Sequence, residues 1–172
     1  HLTPRWDISI RLYNKYLSAY DFYKPNDHIF SICMIVKNEE KNLERCLRSI
    51  KQCKNYEIII VDTGSTDNTL KIAKSHNAKI FKYKWNNDFS AARNKAMEYA
   101  RGDWVLILDE DEELAPNSYE KLKQDINNTN IIGYRLPLEN VGSPLNGVNY
   151  VPRLFRNAPG LYFIGKIHET IY

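Results

Sequence analysis

The stretch Trp104-Val105-Leu106-Ile107-Leu108-Asp109-Glu110-Asp111-Glu112-Glu113 decides how the chain is read. Five apolar residues end abruptly in five consecutive carboxylates. The apolar part is short and suits a strand buried on both faces. Residues two apart in an extended chain point the same way, so Asp109 and Asp111 can share one target while Glu110 points away. Crowded carboxylates repel one another at neutral pH unless a cation sits among them. Two carboxylates with open coordination positions suit Mg2+ or Mn2+ better than zinc, which prefers His and Cys. By itself the run also reads as a solvated strand end leading into an acidic helix N-terminus. The rest of the chain has to decide.

Upstream, apolar runs alternate with helical patterns. Residues 29–36 (IFSICMIV) and 57–61 (EIIIV) read as buried strands. Lys79 to Trp85 alternates and reads as a strand nearer an edge. Between them lie three helices. The first runs from Glu39 to Lys51 behind an Asn38 N-cap, the second from Asn68 to Ser75, the third from Phe89 to Arg101 with Gly102 ending it. The order β-α-β-α-β-α-β with near-continuous apolar strands predicts an α/β fold, a mostly parallel Rossmann-like sheet flanked by helices. Ligands of such sheets sit beyond the carboxyl ends of the strands. That rule brings Lys37 to Glu39, Asp62 to Asp67 and Asp109 to Asp111 onto one rim.

Downstream the pattern changes. Residues 116–126 read as a helix, and 131–138, 148–155 and 161–172 as strands joined by turns such as Val141-Gly142-Ser143-Pro144 and Asn146-Gly147. This half is expected to be antiparallel and to cover the mouth of the rim on the acceptor side. Residues 1–29 form an N-terminal appendage in which Leu12, Tyr16 and Ala19 or Tyr20 line one face of a short helix. The expected domain is 30–172, with a ligand-binding half at 30–113 and an acceptor-side half at 114–172.

The 172 residues suffice for one domain with a core, and a net charge of +3 implies no nucleic-acid partner. No apolar run approaches the roughly 18–20 residues of a transmembrane segment, and no signal peptide opens the chain as given. Cys33, Cys46 and Cys53 lack CxxC spacing and read as packed free thiols of a reducing compartment, which points to the cytoplasm. The chain begins on His1 and breaks off in a strand-like run at Tyr172, so both ends are expected to be incomplete. Neither GxGxxG nor GxxxxGK[ST] is present. The loop Asp62-Thr63-Gly64-Ser65-Thr66-Asp67 reads either as an ordinary strand-to-helix connection or as a carboxylate accepting a base N–H beside amides that face a ribose or phosphate. Arg93 reads either as a phosphate partner or as half of a structural ion pair. His168, in a strand-like run, reads as a structural histidine, a metal ligand or a part of the acid/base machinery.

Taken together, these segments resemble family 2 glycosyltransferases of the GT-A fold. The similarity rests on Val36-Lys37-Asn38-Glu39, IIIVDTGSTDNT (58–69), NDFSAARNKAMEYARGDWVLILDEDEEL (87–114) and RLFRN…GKIHE (153–169). The last segment is similar to bacterial members of the sublancin type, which modify proteins or peptides and often carry TPR helices downstream. The resemblance implies an inverting transfer of a hexosyl or N-acetylhexosaminyl group from a nucleotide diphosphate sugar, by preference a UDP-sugar. The acceptor is expected to be a protein or peptide side chain, and any oligomer to form through the missing C-terminal region. Carried over, Val36, Asn38 and Glu39 line the nucleotide pocket, Asp62 contacts the uracil, and Ser65 and Asp67 lie close by. Arg93 holds the nucleotide or its phosphates. Asp109-Glu110-Asp111 is the DxD motif, with Asp111 the more direct Mn2+ or Mg2+ ligand, Asp109 its companion, and His168 approaching the metal or diphosphate from the acceptor side. Inversion needs a base; Glu169 is the first candidate and Glu112 the second. A sugar nucleotidyltransferase would need a Gly-rich basic loop that Val36 to Glu40 does not supply. A non-catalytic nucleotide-sugar-binding module keeps the same fold. A glycoside hydrolase has the paired acids but no need of Arg93 and the Asp62 loop.

Overall fold

The apolar runs line up as one sheet in a computed structural model that describes residues 30–127, 130–140 and 148–172. β1 (Phe30–Val36), β2 (Tyr56–Asp62), β3 (Lys79–Lys82) and β4 (Trp104–Ile107) pair in parallel. β5 (Gly133–Glu139) and β6 (Val148–Arg156) are antiparallel to each other, and β6 runs antiparallel to β4. The six-stranded order is β3-β2-β1-β4-β6-β5, which leaves β3 and β5 as the outer strands. The mostly parallel sheet expected from the sequence is present. Its antiparallel part does not sit as a separate cover over the rim; it extends the same sheet, because β6 pairs with β4. β7 (Phe163–Ile164) and β8 (Thr170–Ile171) form a small second sheet.

Alternation along the strands feeds two cores. Phe30, Ile32, Met34 and Val36 of β1 face α1 (Leu43–Ile50), α2 (Thr69–Ser75) and α4 (Ser118–Asp125). The stripe Leu43, Cys46, Leu47, Ile50 is fully inside, each large side chain contributing about 1.5–3 kcal/mol of burial. On the other face Cys33, Ile35, Ile59, Val61, Val105 and Ile107 meet α3 (Phe89–Glu98) through Ala92 and Ala96, whose small side chains let the helix lie close. All three cysteines are buried and free, and burial pushes their thiols up, Cys53 to about 11.

At the amino ends of the strands one buried carboxylate ties four segments together. Glu57 of β2 accepts from Ser31 of β1 at 2.5 Å, from Lys79 of β3 at 2.7 Å and from the Arg101 amide at 2.6 Å. Gly102 is required here by close approach: a Cβ would lie 2.6 Å from Phe30 C and Ser31 N.

Several boundaries differ from the sequence reading. α1 starts at Leu43, and Asn38 is not its N-cap but a left-handed residue with φ 58°. The amides of Glu39 and Glu40 are satisfied instead by Thr69 Oγ1 at the start of α2, at 2.7 Å, and by Asp67 Oδ2 in the loop before it, at 3.2 Å. α3 ends at Glu98, three residues before Arg101. Residues 161–172 are a hairpin with a turn rather than a continuous strand, because Gly165 and His168 take positive φ of 99° and 56°. The helix expected within 1–29 and the turns at 141–147 lie outside the described residues. Among the described residues no helix is long and apolar enough to cross a membrane.

Candidate active site

The parallel strands deliver three polar segments to their carboxyl ends. Val36 pairs with Asp62 across β1 and β2, and β4 ends on the other side of β1. The loops after β1 and β2 are laced to each other. Asn38 N donates to Ser65 Oγ at 3.0 Å, and Thr66 N donates to Asn38 Oδ1 at 2.7 Å. Glu40 accepts from Asn68 N at 3.0 Å, and Asp67 accepts from both Thr69 and Glu40. The Asp67 carboxyl is partly desolvated, yet those donors hold it below its ordinary range. Asn38 and Ser65 therefore hold each other at the rim, while Asp67 ties the Glu40 amide to Thr69. Val36 contributes no lining side chain, since its side chain is in the core and its carbonyl accepts from Thr63. Asp62 is buried at the end of β2, with Oδ1 accepting from Ser65 N at 2.9 Å.

At β4 the acids and arginines form one alternating chain. Arg93 on α3 donates through Nε to Glu169 at 2.6 Å and through Nη2 to Asp109 Oδ1 at 2.9 Å. Arg153 on β6 donates through Nη2 to Asp109 Oδ2 at 2.7 Å and to Glu112. The order is Glu169–Arg93–Asp109–Arg153–Glu112. Burial opposes the charges of Asp109 and Arg93, but each stabilises the other, so the carboxyl titrates below and the guanidinium above its ordinary range. Burial pushes Glu112 up despite Arg153. The ion-pair reading of Arg93 is the one its contacts match, yet among the described residues its Nη1 is buried without a partner, as is Nε of Arg153. At the amino end of α3, Asp88 accepts from Ala91 N at 2.9 Å, and the Phe89 amide donates to Lys166 O. Further down, Ser90 Oγ donates to Gly165 O at 2.6 Å, and Asn94 exchanges two hydrogen bonds with Phe163. These contacts fasten the hairpin and bring Glu169 to Arg93.

The five carboxylates differ from the extended-chain expectation. The chain turns at once after Asp109: Glu112 N donates to Asp109 O at 3.0 Å, and Asp109 N donates to Glu112 Oε2 at 3.0 Å. Alternation therefore does not place Asp109 and Asp111 on one side. Asp109 lies between the two arginines, and Asp111 is exposed. Glu110 does not point into solvent; it is half-buried, and burial together with Asp109, Glu39 and Asp111 pushes it up to about 7. His168 is exposed in the hairpin turn. Asp109, Asp111 and His168 thus form no ready ligand set, and among the described residues no group of three or more His, Cys, Asp or Glu side chains is placed to hold a metal ion. The donors still fit a hard divalent cation in kind. Asp111 offers a carboxylate with no side-chain partner among the described residues, and the charge crowding on Glu110 is what a cation would relieve.

Arg153 was not singled out in the sequence as a site residue, although it opens the RLFRN run. Its role depends on strand register, which no local pattern announces. An open groove of about 900 Å3 between α1 and α4, lined by Lys41, Arg45 and Glu120, lies off the rim and includes neither Asp62 nor Arg93.

The family model of Glycosyl transferase family 2 matches residues 31–166. The chain is 39% identical over 141 residues to a TPR repeat-containing protein of Synechococcus elongatus, covering 82% of this chain and 35% of that one. It is 32% identical over 167 residues to the SPbeta prophage-derived glycosyltransferase SunS of Bacillus subtilis, covering 95% of this chain and 39% of that one. It thus spans well under half the length of both relatives. Among solved structures, S. aureus TarS 1-349 superposes with a TM-score of 0.69 at 21% identity, over 78% of this chain and 50% of that one. The same protein in complex with UDP-GlcNAc gives 0.58 at 26% identity, over 70% and 36%. With the acids, Arg93 and the Asp62 loop on one rim of this sheet, the chain belongs to glycosyl transferase family 2.

Proposed function

We propose that the protein transfers a hexosyl or N-acetylhexosaminyl group from a UDP-sugar to an acceptor with inversion, assisted by Mn2+ or Mg2+. The observation that carries this reading is the convergence of the Asp62 loop and the Arg93–Asp109 pair on the carboxyl rim of one parallel sheet. The TarS structures in complex with UDP and with UDP-GlcNAc support the donor class. The resemblance to sublancin-type enzymes supports a protein or peptide side chain as acceptor.

Asp62 keeps one oxygen for a base N–H, since Ser65 N engages only Oδ1. The laced loops at Asn38 and Ser65 give the ribose edge a rigid wall, with Glu39 beside them. Arg93 Nη1 is buried without a hydrogen-bond partner among the described residues, and a donor phosphate oxygen would satisfy it. Asp111 would hold the cation; Asp109, its expected companion, is engaged by two arginines, and His168 would approach from the hairpin. When bound, the cation supplies positive charge against the diphosphate leaving group. Glu169, oriented by Arg93, takes the acceptor proton, and Glu112 is the alternative base.

A thermal-shift series tests the reading. UDP with Mn2+ should raise Tm, because ligands that bind only the native state stabilise it. Slow hydrolysis of one donor in a nucleotide-sugar panel should name the sugar. No shift with any nucleotide diphosphate and metal would refute the reading. Donor binding without turnover, unchanged by Asp111→Asn, would make the domain a non-catalytic binding module.

A further inference from the structure

The aim of Arg153 is set by an irregularity of the backbone. Tyr134 of β5 pairs with Leu154 of β6, but the next residue, Arg135, pairs with Pro152. Arg153 is the extra residue of a β-bulge. A bulge leaves its residue out of the ladder, bends the strand and re-aims the side chain. Pro152 adds a position that cannot donate to the ladder. The side chain then leaves the sheet's regular alternation and reaches the end of β4, where a single nitrogen serves both Asp109 and Glu112. Arg93 holds the other Asp109 oxygen. Both oxygens of Asp109 are therefore occupied by cationic donors, while Asp111 is left exposed.

We propose that Arg153 is a positioning residue: by seating Asp109 and Glu112 it keeps their charge away from the divalent cation and leaves Asp111 as the ligand that carries it. The inference rests on the cation-assisted donor-site reading above. It also accounts for why, among the described residues, a run of five acids yields no preassembled acidic cluster. A guanidinium suits the post because it stays charged.

Manganese binding without donor tests this, read from the electron paramagnetic resonance signal of the free ion, on the full chain and on Arg153→Met, Arg153→Gln and Arg153→Lys. Removing the charge uncovers Asp109 and Glu112, so the Met and Gln variants should bind manganese about fivefold tighter or more. The Lys variant keeps the charge and should stay within about twofold of the wild type. A merely structural role would lower Tm in the Met and Gln variants and leave the manganese Kd where it was; that result overturns the proposal. Equal tightening in the Lys variant overturns it as well, since charge would then not be the agent. Wild-type protein that binds neither manganese nor UDP would sink the donor-site reading itself. Normal wild-type binding with indifferent variants sinks only the role of Arg153.

Discussion

Asp109 shows what a single position can and cannot disclose. Its place at the end of an apolar strand was legible, as were Asp62 at the end of β2 and Arg93 on the helix before β4, because strand ends in a parallel sheet are functional by geometry. Its partners were legible only in part. Arg93 and Glu169 lie in segments that stood out, but Arg153 is aimed by a bulge, and a bulge is a property of two strands in register. The side-to-side alternation assumed for the acids failed for a local reason: the reciprocal Asp109–Glu112 bonds turn the chain after one residue. The division of labour among the acids nevertheless gives a firm expectation. Burial and the neighbouring acids push the Glu110 carboxyl up, so Glu110→Gln removes a charge that its surroundings already disfavour. Asp111→Asn removes an exposed carboxylate that has no side-chain partner among the described residues. Initial rates should fall less than about tenfold for the first and more than about a hundredfold for the second, with Tm of the second unchanged, as a ligand lost from a surface position requires.

Whole elements were easier to read than their ends. The α1 stripe and the four parallel strands follow from periodicity, whereas the start of α1 depends on Asp67 and on Thr69 at the head of α2, both distant in sequence. Residues 161–172 looked strand-like because apolar residues are frequent there, yet Gly165 and His168 turn the chain into a hairpin held by α3. Between strands, Glu57 does the corresponding work at the opposite end of the sheet. Burial opposes its charge, but Lys79, Ser31 and the Arg101 amide hold its carboxyl below the ordinary range. A depressed folded-state value contributes stability above the unfolded-state value near 4.3 and loses it as pH falls through the folded one. Glu57→Gln should therefore cost about 2 kcal/mol at pH 7 in urea denaturation. The gap between the two proteins should narrow as pH drops below about 4.

Across the molecule, strand order was the hidden quantity. The alternation of strands and helices forecast a parallel sheet, but not that β6 would insert between β4 and β5. Because of that insertion, Leu106 of the ligand-binding half faces Leu154 of the acceptor-side half within one ladder. The proposed halves 30–113 and 114–172 should not open separately. In native-state hydrogen exchange the amides of Val105, Leu106, Leu154 and Phe155 should share one opening free energy; faster exchange confined to Leu154 and Phe155 would show the seam to be weak.

The two outer strands carry a further consequence, for the protein's behaviour in crowded solution. β3 is only four residues long and has lysines at both ends, and β5 has Pro137 in its run. Short length, charge and a missing amide are what keep an open strand edge from recruiting a strand of another molecule. Among the described residues the sheet thus ends in borders that discourage pairing with a strand of another molecule.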